Sequence, residues 1–269
     1  MLQENEIMES GKINRDKSDI KKPGMFWLVT EAARALLEYG TFFPYKHFTS
    51  SSSEGDGHPV LILPGFMSGD MSTRPLREFL KSLGYQTFGW GLGRNFGEES
   101  DIDRLLDLSD SIFQEHRKKI TIIGWSLGGI YARQIAKSRP HLIRQVITLG
   151  SPFSGLSANN HVAWIHKAIT SGRVEDVIDP ELLADIPKPA PVPTTAIYSK
   201  QDGIVPWEYC IEQEESDIHQ NIQVYGSHLG LGVNPTVVKI IVDRLKYSRH
   251  NWTKFSPQSG IEDMILYPA

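Results

Sequence analysis

The sequence predicts an α/β fold: a mostly parallel sheet with helices on both faces and a helical cap insertion at one edge. Three observations predict it. Short apolar runs alternate with helical patterns along most of the chain. The runs are apolar throughout instead of alternating with polar residues, as strands buried on both faces are. One connection is far longer than the others, which is where an inserted element belongs.

In chain order, strands are expected at 60–63, 85–90, 120–123, 145–149, 194–198 and 222–225. Helical spacing of apolar residues marks 73–83, 102–116, 127–137 and 235–247 between or after them. The stretch 152–193 contains two helical patches, "HVAWIHKAIT" and "DPELLADI", and leaves through the stiff run "PKPAPVP". It reads as a cap over one edge of the sheet. The expected organisation is an N-terminal segment with a helix and linker at 1–57, a main domain at 58–248 carrying the cap at 152–193, and a tail at 249–269.

Residues 1–24 are polar and lack the apolar centre of a signal peptide. In the following "MFWLVTEAARALLEYG", Met25, Leu28, Val29, Ala32, Leu36 and Tyr39 share one helical stripe. The favoured reading packs that stripe against the domain. The other is peripheral contact with a membrane surface through residues 25–40, disfavoured because the polar face is poor in Lys and Arg.

Composition bounds the function. The 269 residues are 40% hydrophobic and carry 28 Lys and Arg against 32 Asp and Glu, a formal charge of -4. No basic excess points to nucleic acid. Cys210 is the only cysteine, so no intramolecular disulfide and no thiolate metal cluster can form. A cytoplasmic setting is expected, with membrane association left open.

The chemistry concentrates in "TIIGWSLGG". Gly124-Trp125-Ser126-Leu127-Gly128 fits G-x-S-x-G, with an expected strand before it and a helix after it. The glycines let strand and helix pass closely, so Ser126 can occupy a strained bend that exposes its hydroxyl. The plain alternative is a turn with a serine capping a helix. A serine nucleophile needs a base within hydrogen-bond reach.

With this motif the sequence resembles the α/β-hydrolase superfamily, in its lipase- and esterase-like serine hydrolases, over roughly residues 59–247. The resemblance implies a triad in the chain order serine, acid, histidine, with the acid after a late strand and the histidine after the last. "TTAIYSKQDGIVP" then supplies Asp202 and "NIQVYGSHLGLG" supplies His228. His219 precedes its strand, His250 follows the last helix, and His161 and His166 lie in the cap. Asp202 is the favoured acid, with an Asx-turn residue as the plain alternative; Glu215 and Asp217 are the substitute acids. The oxyanion donors are expected to be the backbone amides of Leu127 and, by resemblance, Phe66. Pro64-Gly65 stands where the family often has His-Gly, which removes a histidine that braces the loop.

Phe66, Met67, Trp125, Phe153, Trp164 and Leu229 are the candidate substrate-lining residues, with Arg94 either a carboxylate ligand or a brace. The expected function is hydrolysis of a small-molecule or lipid carboxylic ester through an acyl-enzyme on Ser126, with no metal and no organic cofactor. Thioester hydrolysis, acyl transfer and perhydrolysis use the same triad. A non-catalytic binding protein on the same fold is the more distant alternative.

Overall fold

Runs of Val, Ile and Leu with no polar alternation cannot face water on either side, so they collect in the middle of a layered domain. The computed structural model describes residues 20–49, 55–154, 180–257 and 267–268. Its strands are β1 (Pro59–Leu63), β2 (Gln86–Phe88), β3 (Ile120–Trp125), β4 (Ile143–Leu149), β5 (Thr194–Tyr198) and β6 (His219–Gln223). They form one sheet in the order β2-β1-β3-β4-β5-β6, and every neighbouring pair is parallel. All strands therefore end on the same edge, which is where open α/β sheets gather functional groups.

The described helices are α1 (Met25–Thr49), α2 (Asp70–Ser82), α3 (Asp101–His116), α4 (Leu127–Ser138), α5 (Pro180–Asp185) and α6 (Pro235–Leu245). Leu76, Phe79 and Leu80 of α2 and Val237, Val238, Ile240 and Ile241 of α6 fill one side of the sheet, together with Phe42 of α1. Leu105 and Ile112 of α3 and Ile130, Ile135 and Ala136 of α4 fill the other. The two-faced α/β layering read from the sequence is the observed one.

Four expectations need correction. β2 is only three residues long, and β6 begins three residues earlier than its apolar run. An edge strand keeps one side of its ladder unpaired, so polar residues such as His219 and Asn221 are tolerated there. The segment after α6 is not a loose tail: Trp252 and Tyr267 are buried. Phe255 exchanges two hydrogen bonds with the Gln220 side chain, at 2.6 and 2.7 Å, covering the β6 edge. Of the expected cap, 155–179 lie outside the described residues. The described remainder packs along α4, with Ile186, Ala190 and Val192 in the α3/α4 core. Lys137, at the end of α4 remote from Ser126, donates to Asp185 Oδ2 at 2.9 Å, and ten residues of helix separate Lys137 from Leu127 by about 15 Å.

The fourth correction concerns α1. Its apolar stripe faces outward. Met25, Phe26, Leu28, Val29, Leu36, Leu37, Tyr39 and Phe43 are all exposed, whereas Glu31 and Phe42 are buried. The only charged residues from Met25 to Tyr45 are Glu31, Arg34 and Glu38; Glu31 and Glu38 turn toward the domain, and Arg34 pairs with Glu31 along the helix. The helix docks by hydrogen bonds from its charged side, a mode that apolar periodicity does not encode. Among the described residues no helix is long and apolar enough to cross a membrane.

Candidate active site

Strand β3 ends at Trp125 and α4 begins at Leu127, leaving Ser126 alone to make the turn. It does so at φ 52° and ψ -121°, a left-handed conformation that costs an L residue on the order of 1–3 kcal/mol and recurs at functional sites. The turn is tight enough to require its glycines. A Cβ on Gly124 would lie 2.3 Å from Gly129 Cα, and one on Gly128 would lie 2.4 Å from Leu63 O. The Ser126 amide donates to Leu149 O at 2.8 Å, which fixes the bend to the end of β4.

Asp202 lies four residues beyond β5. Its Oδ1 accepts from the amides of Ile204 at 2.8 Å and Val205 at 2.7 Å. Its Oδ2 accepts from His228 Nδ1 at 2.6 Å. The turn reading and the acid reading of Asp202 thus describe different oxygens of one carboxylate. Both residues are buried. Burial opposes a charge on His228, but the charge and hydrogen bond of Asp202, with a contribution from Glu31, outweigh it and raise the imidazole above its ordinary value.

The elbow and the His–Asp pair are tied together by backbone contacts. Trp125 Nε1 donates to His228 O at 3.0 Å. A Cβ on Gly150, at the end of β4, would lie 3.1 Å from His228 Nδ1 and 3.3 Å from Asp202 Oδ2.

The loop after β1 closes over the elbow from the other side, since a Cβ on Gly65 would lie 3.2 Å from Ser126 Cβ. Asn95 braces this loop. Its Nδ2 donates to Pro64 O at 2.8 Å. Its amide donates to Ser68 O at 2.8 Å, and its carbonyl accepts from Met67 N at 2.7 Å. Phe66 sits within this clamped turn, and Leu127 is the first residue of α4, so its N–H has no acceptor within the helix.

The substrate-lining expectations divide. Phe66 is half-buried, and Met67 and Leu229 are exposed, on loops at the strand ends. Phe153 is instead a core residue: it is fully buried and the Arg133 guanidinium lies 3.8 Å from its ring centroid. Trp125 is half-buried against the α2/α6 core and braces the His228 backbone. Trp164, His161 and His166 lie outside the described residues. Arg94 is exposed.

The other histidines have separate settings. His219 opens β6 at the opposite end of the sheet, its Nε2 2.8 Å from Ala190 O and its Nδ1 2.9 Å from Ser216 Oγ. His250 is exposed in a turn. Glu215 accepts from Asn221 N and Lys254 Nζ at the β6 edge, and Asp217 is exposed.

No family model matches the chain. Among solved structures, lipase B of Aspergillus fumigatus superposes with a TM-score of 0.54 at 18% identity, covering 74% of this chain and 55% of the lipase. The monoacylglycerol lipase of Paleococcus ferrophilus gives 0.51 at 17% identity, covering 71% of this chain and 96% of that one. The chain has the α/β-hydrolase fold. At this identity the likeness carries the fold alone, the one on which the G-x-S-x-G elbow was expected. A curated relative, the pimeloyl-[acyl-carrier protein] methyl ester esterase of Yersinia pseudotuberculosis serotype O:1b (strain IP 31758), is 36% identical over 63 residues. That match spans 23% of this chain and 23% of the esterase, so the esterase's activity is not thereby this chain's.

Sequence reasoning missed Asn95, Glu31 and Glu38. Glu31 accepts from the amides of Gly203 at 3.0 Å and Leu229 at 2.8 Å, the residues directly after Asp202 and His228. Glu38 accepts from Ser227 N at 2.8 Å and Ser227 Oγ at 2.6 Å. The only sequence signal was negative: three charges interrupting an apolar helix.

Proposed function

We propose that the chain is a serine hydrolase of carboxylic esters. The observation that supports this reading is the buried His228–Asp202 pair at 2.6 Å, at the same sheet end as a left-handed Ser126. Ester hydrolysis is also what the names of the similar lipases and esterase describe for those proteins.

In this mechanism Ser126 Oγ attacks the ester carbonyl carbon while His228 Nε2 takes its proton. The carbonyl oxygen becomes an oxyanion facing the amides of Leu127 and Phe66, which donate to it. The tetrahedral intermediate collapses, the alkoxide leaves with the proton from His228, and an acyl group remains on Ser126. Water then attacks the acyl-enzyme with His228 again as base, releasing the acid and restoring the serine. Asp202 holds the Nδ1–H tautomer and stabilises the imidazolium at each step. Thioester hydrolysis and acyl transfer would pass through the same acyl-enzyme. Every proton and electron pair in this cycle is carried by the chain, substrate or water.

A fluorophosphonate should label Ser126 and abolish esterase activity on p-nitrophenyl esters. Ser126→Ala should lose about 10⁶-fold in turnover, as triad knockouts in serine proteases do. Labelling elsewhere, or an active Ser126→Ala protein, would falsify the reading.

Peripheral lipid contact through residues 25–40 is proposed on separate grounds. The outward face of α1 is apolar and uncharged from Met25 to Tyr45, and exposed Lys21 and Lys22 stand just before it. An anionic lipid surface matches both, and α1 lies over the loops of Asp202 and His228, where a lipid ester would enter.

A further inference from the structure

We propose that Glu31 is a positioning residue that locks the acid loop and the base loop in one register, an inference that rests on the Ser126–His228–Asp202 reading. Glu31 belongs to α1, outside the sheet and outside the G-x-S-x-G unit. Its side chain is 4% exposed, and a buried carboxylate costs several kcal/mol unless its oxygens are bonded. Here both are. Leu229 N–H donates to Oε1 at 2.8 Å. Gly203 N–H donates to Oε2 at 3.0 Å, and Arg34 Nη2 donates to the same oxygen at 2.8 Å.

The two amides are what make this carboxylate specific. Gly203 follows Asp202 and Leu229 follows His228, so one rigid three-atom group spans the loops that deliver the acid and the base. Those loops leave the paired strands β5 and β6, and a second bond between them, Ser199 Oγ to Gly226 O at 2.7 Å, lies closer to the strand ends. A carboxylate bonded to both amides fixes their separation, and thereby the Asp202–His228 distance and the direction in which Nε2 points. The helix is seated closely enough to set this geometry: a Cβ on Gly203 would lie 2.5 Å from the Trp27 carbonyl. Arg34 is itself held by Trp27 O at 2.9 Å and Thr30 Oγ1 at 3.2 Å, so Glu31 is braced from behind. One further carboxylate, Glu38, receives Ser227 N, Ser227 Oγ and Asn234 Nδ2, so α1 grips the base loop on both sides of His228.

Glu31 also acts through charge. The charged and titratable groups bearing on His228 are Asp202 and Glu31, both of which favour the imidazolium. Arg34 is paired with Glu31. The Cys210 thiol near Asp202 is kept neutral by burial and by the charges of Asp202 and Glu208. Loss of the Glu31 charge should therefore lower the pKa at which His228 becomes a competent base.

The test uses the full-length protein with Glu31→Gln, Glu31→Ala and, as a control remote from the site, Lys81→Ala at the exposed end of α2. Active-site titration with a fluorophosphonate comes first, with Ser126→Ala alongside; activity in that variant overturns the triad reading and this inference with it. With the triad established, Glu31→Gln should lose up to about 100-fold in kcat, the scale of a small misplacement, with KM within a few-fold. Its acidic limb of kcat/KM should move to lower pH, and Lys81→Ala should change neither. A Glu31→Gln protein with wild-type kcat and an unmoved limb overturns the proposal. So does one that loses thermal stability and kcat together while the limb stays put. If Glu31→Ala does not fold, the near-isosteric Gln variant decides.

Discussion

Asn95 closes three hydrogen bonds on the turn that carries Phe66, and two of them are backbone bonds that any residue could make. The third, Nδ2 to Pro64 O, depends on the amide side chain. Asn95→Leu leaves that buried carbonyl without its partner, at a cost of about 1–3 kcal/mol. If Phe66 supplies an oxyanion donor, kcat should fall more than KM rises, because the donor acts on charge that develops during attack. Urea melts and steady-state kinetics on p-nitrophenyl esters check both halves; an unchanged kcat in a destabilised protein would remove Asn95 from the catalytic account. Ser126, Asp202 and His228 were candidates from sequence because a motif and a chain order mark them. Asn95, Glu31 and Glu38 were not, because their partners are backbone groups 31, 172 and 189 residues away. A backbone amide carries no residue type, so nothing in the pattern announces that a distant side chain is meant for it.

At the scale of elements, strands buried on both faces were legible because burial selects apolar runs outright. The edge strand β6 was shifted because it pairs with a strand on one side only, which relaxes that selection. Helix α1 was misread for a sharper reason: the rule that an amphipathic helix turns its apolar face inward assumes that the polar face gains more from water than from protein. Here Glu31, Arg34 and Glu38 find protein partners, and the apolar face is left outside. Substitution separates the two faces. Phe42→Ala, at a fully buried position that packs edge-on against Phe79 at 5.9 Å, should lower stability by about 3–5 kcal/mol. Val29→Ser with Leu36→Ser, at positions 73% and 72% exposed, should each stay within about 0.5 kcal/mol of wild type. That pair should also weaken flotation with phosphatidylglycerol vesicles if lipid covers the face. Wild-type protein that fails to float, or a serine pair that floats as well as wild type, would end the lipid proposal. A large loss of stability in the pair would mean that the face is covered within the chain itself.

Among the described residues two buried histidines, His58 and His228, are perturbed in opposite directions, which predicts how the stability of the molecule responds to pH. His58 lies below the sheet, with Nε2 2.9 Å from Thr121 Oγ1 and Nδ1 2.5 Å from Asp56 Oδ1. Burial, then the nearby Arg144, lower it to about 4, against the opposing pull of Asp56. Below pH ~6.5 the unfolded chain takes up a proton there that the folded chain refuses. Stability from His58 is therefore complete above that pH and is lost as pH falls toward 4, by about 3 kcal/mol at roughly 1.4 per unit. Asp56, lowered to about 2, continues the loss below its ordinary carboxylate range. His228 acts in the other sense. Its raised pKa means that the folded protein holds a proton the unfolded chain has released, so its contribution is present below ~6.5 and lost as pH rises through the raised value. Folding free energy should peak near pH 6.5, with Glu38 and Asp101, raised by burial, softening the acid side. Denaturant unfolding from pH 4 to 9 should show this dome. His58→Gln should flatten its acid flank and His228→Gln its alkaline flank. Esterase turnover needs neutral His228, so it should climb over the interval where stability declines. A monotonic stability profile, or a His58→Gln protein that keeps the wild-type acid slope, would show that these buried imidazoles do not govern the pH response.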